Sequence, residues 1–284
     1  MGGFVEIFEV GPRDGLQNEA RAIPAREKIA LVDCLSEAGF RRIEVASFVS
    51  PRRVPQMADG AEVLSGIRRA PGVSYAALVP NAIGFDRAMD AGADEIAIFA
   101  SASEGFSRAN LNCSISESLE RFRPVAQAAG AENVRMRGYV SCVVQCPYDG
   151  PVAPAAVAEV VEALFAMGAY EVSLGDTIGR GTPETVAAML GAVLEVAEAR
   201  HLAGHYHDTG ARALDNVAAS LELGLRVFDA AAGGLGGCPF APGAAGNVAT
   251  EALHGRLVAL GYETGLDADV LARAAAMAQA MRTG

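Results

Sequence analysis

The chain has 284 residues, 51% hydrophobic and 20% charged, enough apolar material for a large core and too much for disorder. Acidic residues outnumber basic ones 34 to 23, a formal net charge of −11, which argues against nucleic acid or an anionic membrane as the main partner. An anionic metabolite stays open, because a few placed arginines make a local positive site. Five cysteines without paired spacing do not form a disulfide framework, and Cys142 with Cys146 is C-x-x-x-C, not a redox C-x-x-C. The opening MGGFVEIFEV lacks the cationic-then-apolar pattern of a targeting peptide, and no run of about 18 apolar residues occurs. The expectation is a soluble, cytoplasmic protein.

In chain order, short apolar runs of buried-strand type alternate with Ala-rich amphipathic stretches. A predicted strand over 5–10 leads to a helix over 24–38, one over 42–48 to a helix over 56–69, and one over 73–79 to a helix over 82–91. A strand over 95–101 leads to a helix over 116–129, started by Ser116 with Glu117, and one over 134–143 to a helix over 154–167. Strands over 171–174 and 202–207 lead to helices over 183–199 and 211–223, and an eighth strand covers 227–232. Prolines open several helices and glycines close many. Two further helices, over 247–260 and 268–281, follow.

Eight strand–helix alternations are the count of a closed (β/α)8 TIM barrel, here about 4–245 with C-terminal helices about 247–284, in one catalytic domain spanning 1–284. The rival open sheet would carry G-x-G-x-x-G after its first strand, where this chain reads GPRDGLQNE. The later GGLGGCPF also fails, since its last position falls on Pro239.

In such a barrel the chemistry sits where strands end, and the unusual residues collect there. Arg13, Asp14 and Gln17 follow the first strand, Glu44 and Ser47 lie on the second, Asp176 ends the sixth, and His205 and His207 end the seventh. Two imidazoles at i, i+2 on a strand point to one face and can reach one metal; the alternative is two unrelated polar residues. With Asp14 they form a two-His, one-carboxylate set suited to a catalytic divalent ion, Mg or Mn, or Fe or Zn. Glu9 and Glu44, inside strands, are expected to line the mouth and orient Arg13, the alternative being satisfied structural pairs. Cys34, Cys142 and Cys146 read as packing residues, and Cys113 is undecided. Cys238, in a glycine-rich, helix-free loop over the predicted active face, is either a proton-transfer thiol or incidental.

The strings GPRDGLQNE, IEVASFVSPRRVPQM, YVSCVVQCPYDG, SLGDTIG, HYHDT and GGLGGCPFAPGAAGNVATE together resemble the hydroxymethylglutaryl-CoA lyase family, in order along nearly the whole chain. That family belongs to a metal-dependent group of TIM barrels that also holds isopropylmalate, homocitrate and citramalate synthases. The resemblance implies retro-Claisen cleavage of 3-hydroxy-3-methylglutaryl-CoA to acetyl-CoA and acetoacetate, as in leucine breakdown, in a homodimer. It implies Mg or Mn held by Asp14, His205, His207 and Asn247, with Arg13, Asp14, Glu44, His205 and Cys238 as the catalytic set. Arg13, Gln17, Ser47, Asn110 and Asp176 would meet the acyl-CoA, with Glu9 and Asp176 supporting the site. The chain departs from the family at Gly210–Ala211, where Tyr-Gly is usual, and at Ala20, where Lys is common. Another 3-hydroxyacyl-CoA is therefore an alternative substrate. A Claisen-condensing synthase is the rival reaction, set against by the short chain beyond Asn247, and a non-catalytic metal-binding barrel is the rival of another class.

Overall fold

Eight parallel strands close on themselves, and each sends alternate side chains to the helices outside and to the barrel interior. The computed structural model describes residues 2–238 and 241–283, apart from the side chains of residues 237, 238, 241–245 and 283. We label the barrel strands β1 (Glu6–Glu9), β2 (Arg42–Ser47), β3 (Ser74–Leu78), β4 (Glu95–Ser101), β5 (Arg135–Ser141), β6 (Glu171–Asp176), β7 (Leu202–Tyr206) and β8 (Val227–Ala230). Each pairs with its neighbours in sequence, and β1 pairs β8 with Glu6 opposite Val227, which completes the barrel. The expected TIM barrel is what the chain forms.

The outer faces are apolar, as buried parallel strands require: Ile43 and Val45, Met136 and Val140, Val172 and Leu174 all pack in the main core. The inner faces are not layers of aliphatic residues. Arg42 donates to Glu6 and to both oxygens of Glu171, and Arg137 donates to Glu171 and to both oxygens of Asp229. Phe8 lies against both guanidiniums, 4.8 and 4.5 Å from its ring centre. A register shift between Glu44 and Ala46 puts Val45 and Ala46 side by side in the outer core while Glu44 stays inside.

Ten helices are described, and most stand where the apolar periodicity put them: α1 (Ala25–Ser36), α2 (Gly60–Gly66), α3 (Ala82–Asp90), α4 (Glu104–Leu111), α5 (Ile115–Glu132), α6 (Pro154–Ala166), α7 (Pro183–Val193), α8 (Ala213–Glu222), α9 (Thr250–Ala259) and α10 (Ala268–Thr283). Four expectations need correction. Helix α4, capped by the Ser103 side chain on the Phe106 amide, was not foreseen. Helix α5 starts earlier, because Ser114 and Glu117 form the reciprocal capping box. The glycine-rich loop is not helix-free: Ala232–Gly234 makes one tight turn, and Gly237–Cys238 pairs antiparallel with Ala241–Ala245. Residues 246–249 are not helical but run extended between the ends of β7 and β8, with the Val248 amide on Tyr206 O and the Ala231 amide on Val248 O.

The Gly210–Ala211 departure has a backbone consequence. Ala211 sits at φ 53°, in the left-handed region where a Cβ is strained. Ala211→Gly should therefore raise stability by about 1 kcal/mol, the relief of strain being partly offset by a freer unfolded chain. Denaturant titration at unchanged slope checks it.

Candidate active site at the barrel mouth

After β1 the chain makes one wide helical turn, Gly11–Gly15, in which the amides of Arg13, Asp14 and Gly15 converge on Val10 O. The turn is fastened by Glu9, whose Oε1 accepts the Gly11 and Ala232 amides and whose Oε2 accepts the Thr250 hydroxyl. Glu9 thus joins the loops after β1 and β8, and the expectation that it orients Arg13 is replaced by the structural alternative. Burial raises its pKa to about 7 against the lowering effect of those hydrogen bonds.

Glu44 does hold Arg13. The guanidinium Nε and Nη2 each lie 2.6 Å from Glu44 Oε2, and Nη1 lies 2.6 Å from Asp14 Oδ1. Tyr139 adds its hydroxyl to Glu44 Oε2 at 3.2 Å, and Arg13 stands 5.5 Å from the Tyr139 ring centre. The other Glu44 oxygen, Oε1, is buried with no partner among the described residues. Burial raises the Glu44 pKa more than Arg13 lowers it. At Asp14 the balance goes the other way: burial raises, but Arg13, His205 and His207 together bring the pKa down to about 2.

Asp14, His205 and His207 each offer one donor atom, all within 4.8 Å of one another. The His205 Nε2 lies 3.8 Å from Asp14 Oδ2, and the rings of His205 and His207 are 5.4 Å apart. Asn247 enters from the extended 246–249 segment opposite His207 and donates Nδ2 to Asp14 Oδ2 at 2.8 Å. His207 Nδ1 is buried without a partner among the described residues, and burial followed by the neighbouring His205 lowers its pKa to about 4. An ionised carboxylate, an amide and a neutral imidazole with an unsatisfied nitrogen fit a hard or borderline divalent cation.

These groups occupy one wall of a cavity of about 840 Å3. Leu78, Phe99, Phe106 and Phe122 from β3, β4, α4 and α5 give the cavity an apolar patch, and α5 also brings Ser118 and Arg121 to it. Gln17 and Asn110, expected to meet the acyl-CoA, line the same cavity. Ser47 and Asp176, also expected at the substrate, are not among the residues lining it and hold backbone amides. Ser47 is buried and accepts the Val49 amide at 3.3 Å, and Asp176 is buried and accepts the Arg180 and Gly181 amides. The side chain of Cys238 lies outside the described residues. Cys113 is buried at the cavity and Cys34, Cys142 and Cys146 are buried and free.

Sequence reasoning missed Asp229, Arg137, Tyr139 and Ser173. Each lies inside a strand, and the rule that drew attention to Glu9 and Glu44, that a charge within a barrel strand needs a partner, applies equally to Arg137 and Asp229.

Residues 4–278 match the HMGL-like family. The chain belongs to that family. It is 54% identical to the mitochondrial hydroxymethylglutaryl-CoA lyase of Bos taurus over 96% of this chain and 84% of that protein. It is 56% identical to a 3-hydroxy-3-isohexenylglutaryl-CoA/hydroxymethylglutaryl-CoA lyase of Pseudomonas aeruginosa, over 94% and 89%. The crystal structure of the HMG-CoA lyase from Brucella melitensis superposes with a TM-score of 0.99 at 63% identity, covering both chains completely.

Glu9 makes a test of the fastening between the loops. A raised folded-state pKa means the folded chain holds this proton more tightly than the unfolded one. The stabilisation is complete below the ordinary value of 4.5 and is lost as pH rises through about 7. The span corresponds to about 3 kcal/mol. Glu9→Gln keeps the acceptor and the shape, so its stability should change less with pH over this window, measured by urea unfolding. Equal slopes in the two proteins would contradict the assignment.

Proposed function

We propose that this HMGL-like protein is a divalent-metal-dependent carbon–carbon lyase that cleaves 3-hydroxy-3-methylglutaryl-CoA to acetyl-CoA and acetoacetate. The observation that carries the reading is the union of Arg13, Asp14, Glu44, His205, His207 and Asn247 at one end of the barrel, in a chain more than half identical to lyases of that name. Asp14, His205, His207 and Asn247 would hold the metal. A divalent ion there supplies Lewis acidity, lowering the pKa of a bound tertiary hydroxyl.

The chain's own residues carry the rest. The hydroxyl proton leaves to a base, the bond between the hydroxyl carbon and the thioester α-carbon breaks, and its electron pair moves onto the thioester oxygen as an enolate. Arg13, fixed by Glu44 and Asp14, is preorganised to meet that charge. Asp14 is a poor base, being committed to Arg13 and Asn247, whereas Glu44 offers its unpartnered Oε1 through one water. Cys238 would return a proton to the enolate carbon, giving acetyl-CoA. Mg or Mn is the expected ion, held by two oxygens from Asp14 and Asn247 and two imidazole nitrogens. A cytoplasmic homodimer is part of the proposal and rests on the family resemblance.

The apolar patch of Leu78, Phe99, Phe106 and Phe122 favours a second reading, in which a 3-alkyl group longer than methyl is also accepted, as the name of the Pseudomonas aeruginosa relative states for that protein.

A coupled assay with 3-hydroxy-3-methylglutaryl-CoA and Mg or Mn should yield acetyl-CoA and acetoacetate, and a chelator should abolish both. Net condensation of acetyl-CoA with an oxo acid would overturn the lyase. Arg13→Gln should lower kcat by about 100-fold or more with metal content intact, because an interaction strongest in the transition state is lost. Near-normal turnover would remove Arg13 from the mechanism. Cys238→Ser should lose most of kcat at unchanged melting temperature, and an unchanged rate would make this thiol incidental.

A further inference from the structure

Two imidazoles stand side by side at the mouth, and the protein treats them differently. His207 Nδ1 has no partner among the described residues, whereas His205 Nδ1 lies 3.1 Å from Asp229 Oδ2. Asp229 is itself gripped: Arg137 Nη2 donates to Oδ1 at 2.7 Å, and Arg137 Nη1 and the Ser173 hydroxyl donate to Oδ2 at 3.0 and 2.7 Å. Its side chain is fully buried. A carboxylate bound twice to a guanidinium can only accept, so the hydrogen bond to His205 has one possible sense.

We infer that Asp229 is the positioning residue of this site: it keeps the proton of His205 on Nδ1, so that the Nε2 lone pair faces Asp14 and His207. Arg137 and Ser173 hold the carboxylate in that orientation, and Glu171 and Arg42 anchor Arg137 from below. The arrangement fits the way a carboxylate behind an imidazole fixes the tautomer and raises the donor strength of a metal ligand. Burial alone works to lower the His205 pKa, and the Asp229 hydrogen bond and the Asp14 charge overcome it, in keeping with a full hydrogen bond at Nδ1.

The inference rests on the metal-binding reading only for its second readout. The first is the tautomer of His205 in metal-free protein, from imidazole 15N shifts at alkaline pH. Four histidines are assignable by substitution. Wild type should carry the proton on Nδ1. In Asp229→Ala the acceptor at Nδ1 is gone and Nε2 still faces the Asp14 carboxylate, so the proton moves to Nε2. The Mn dissociation constant, by calorimetry, should then rise about 10- to 100-fold. A wild-type proton on Nε2 would overturn the proposal without any variant, and so would an unchanged tautomer in folded Asp229→Ala. Should that variant not fold, the wild-type tautomer still decides. Wild type with the expected tautomer and no Mn binding would overturn the metal reading and leave the positioning role standing.

Discussion

The Arg137–Asp229 pair at the centre of the barrel joins what holds the barrel to what it does. Below it, Glu171, Arg42 and Glu6 continue the alternation of charge; above it, Asp229 meets His205, which faces Asp14, Arg13 and Glu44. Ions buried in this way are stable only while every partner is present, since losing one partner of a buried pair commonly costs about 3–5 kcal/mol. The same constraint that makes the interior costly to alter makes the mouth rigid. In the proposed reaction the groups that would meet developing charge are already aligned, which leaves little to reorganise.

The cavity is accordingly two-sided. The ends of β1 and β7 carry ionised and imidazole groups, and β3, β4, α4 and α5 contribute an apolar patch of Leu78, Phe99, Phe106 and Phe122 beside Asn110, Ser118 and Arg121. Cleaving a β-hydroxy thioester needs both, polar groups to move a proton and receive an enolate, and an apolar patch to seat the alkyl group and limit water. Helix α4 and the 246–249 segment are the additions that complete the cavity, one bringing Phe106 and the other Asn247.

Most of the barrel was legible in the sequence. Strands covered on the outside by helices must be apolar at alternate positions, and glycines and prolines mark the helix ends. Arg13, Asp14, His205 and His207 were legible because polar residues stand out at strand ends. Asp229 and Arg137 were not, because VFDA and RMRGYVS read as apolar strands containing stray charges, and only closure of the barrel makes those charges face each other. Glu9 was misread for the same reason: its Ala232 partner lies 223 residues away in sequence. Asn247 was assigned to a helix because the residues that draw 246–249 into an extended path, Tyr206 and Ala231, are neighbours in space alone.

The central claim is that the mouth of the barrel is a preorganised site for one divalent ion. Calorimetric titration of metal-free protein with Mn tests it most directly. One ion per chain should bind, and be lost in the Asp14→Ala, His207→Ala double variant while the fold persists. Binding that survives the double substitution unchanged, or no binding by folded wild type, would contradict it.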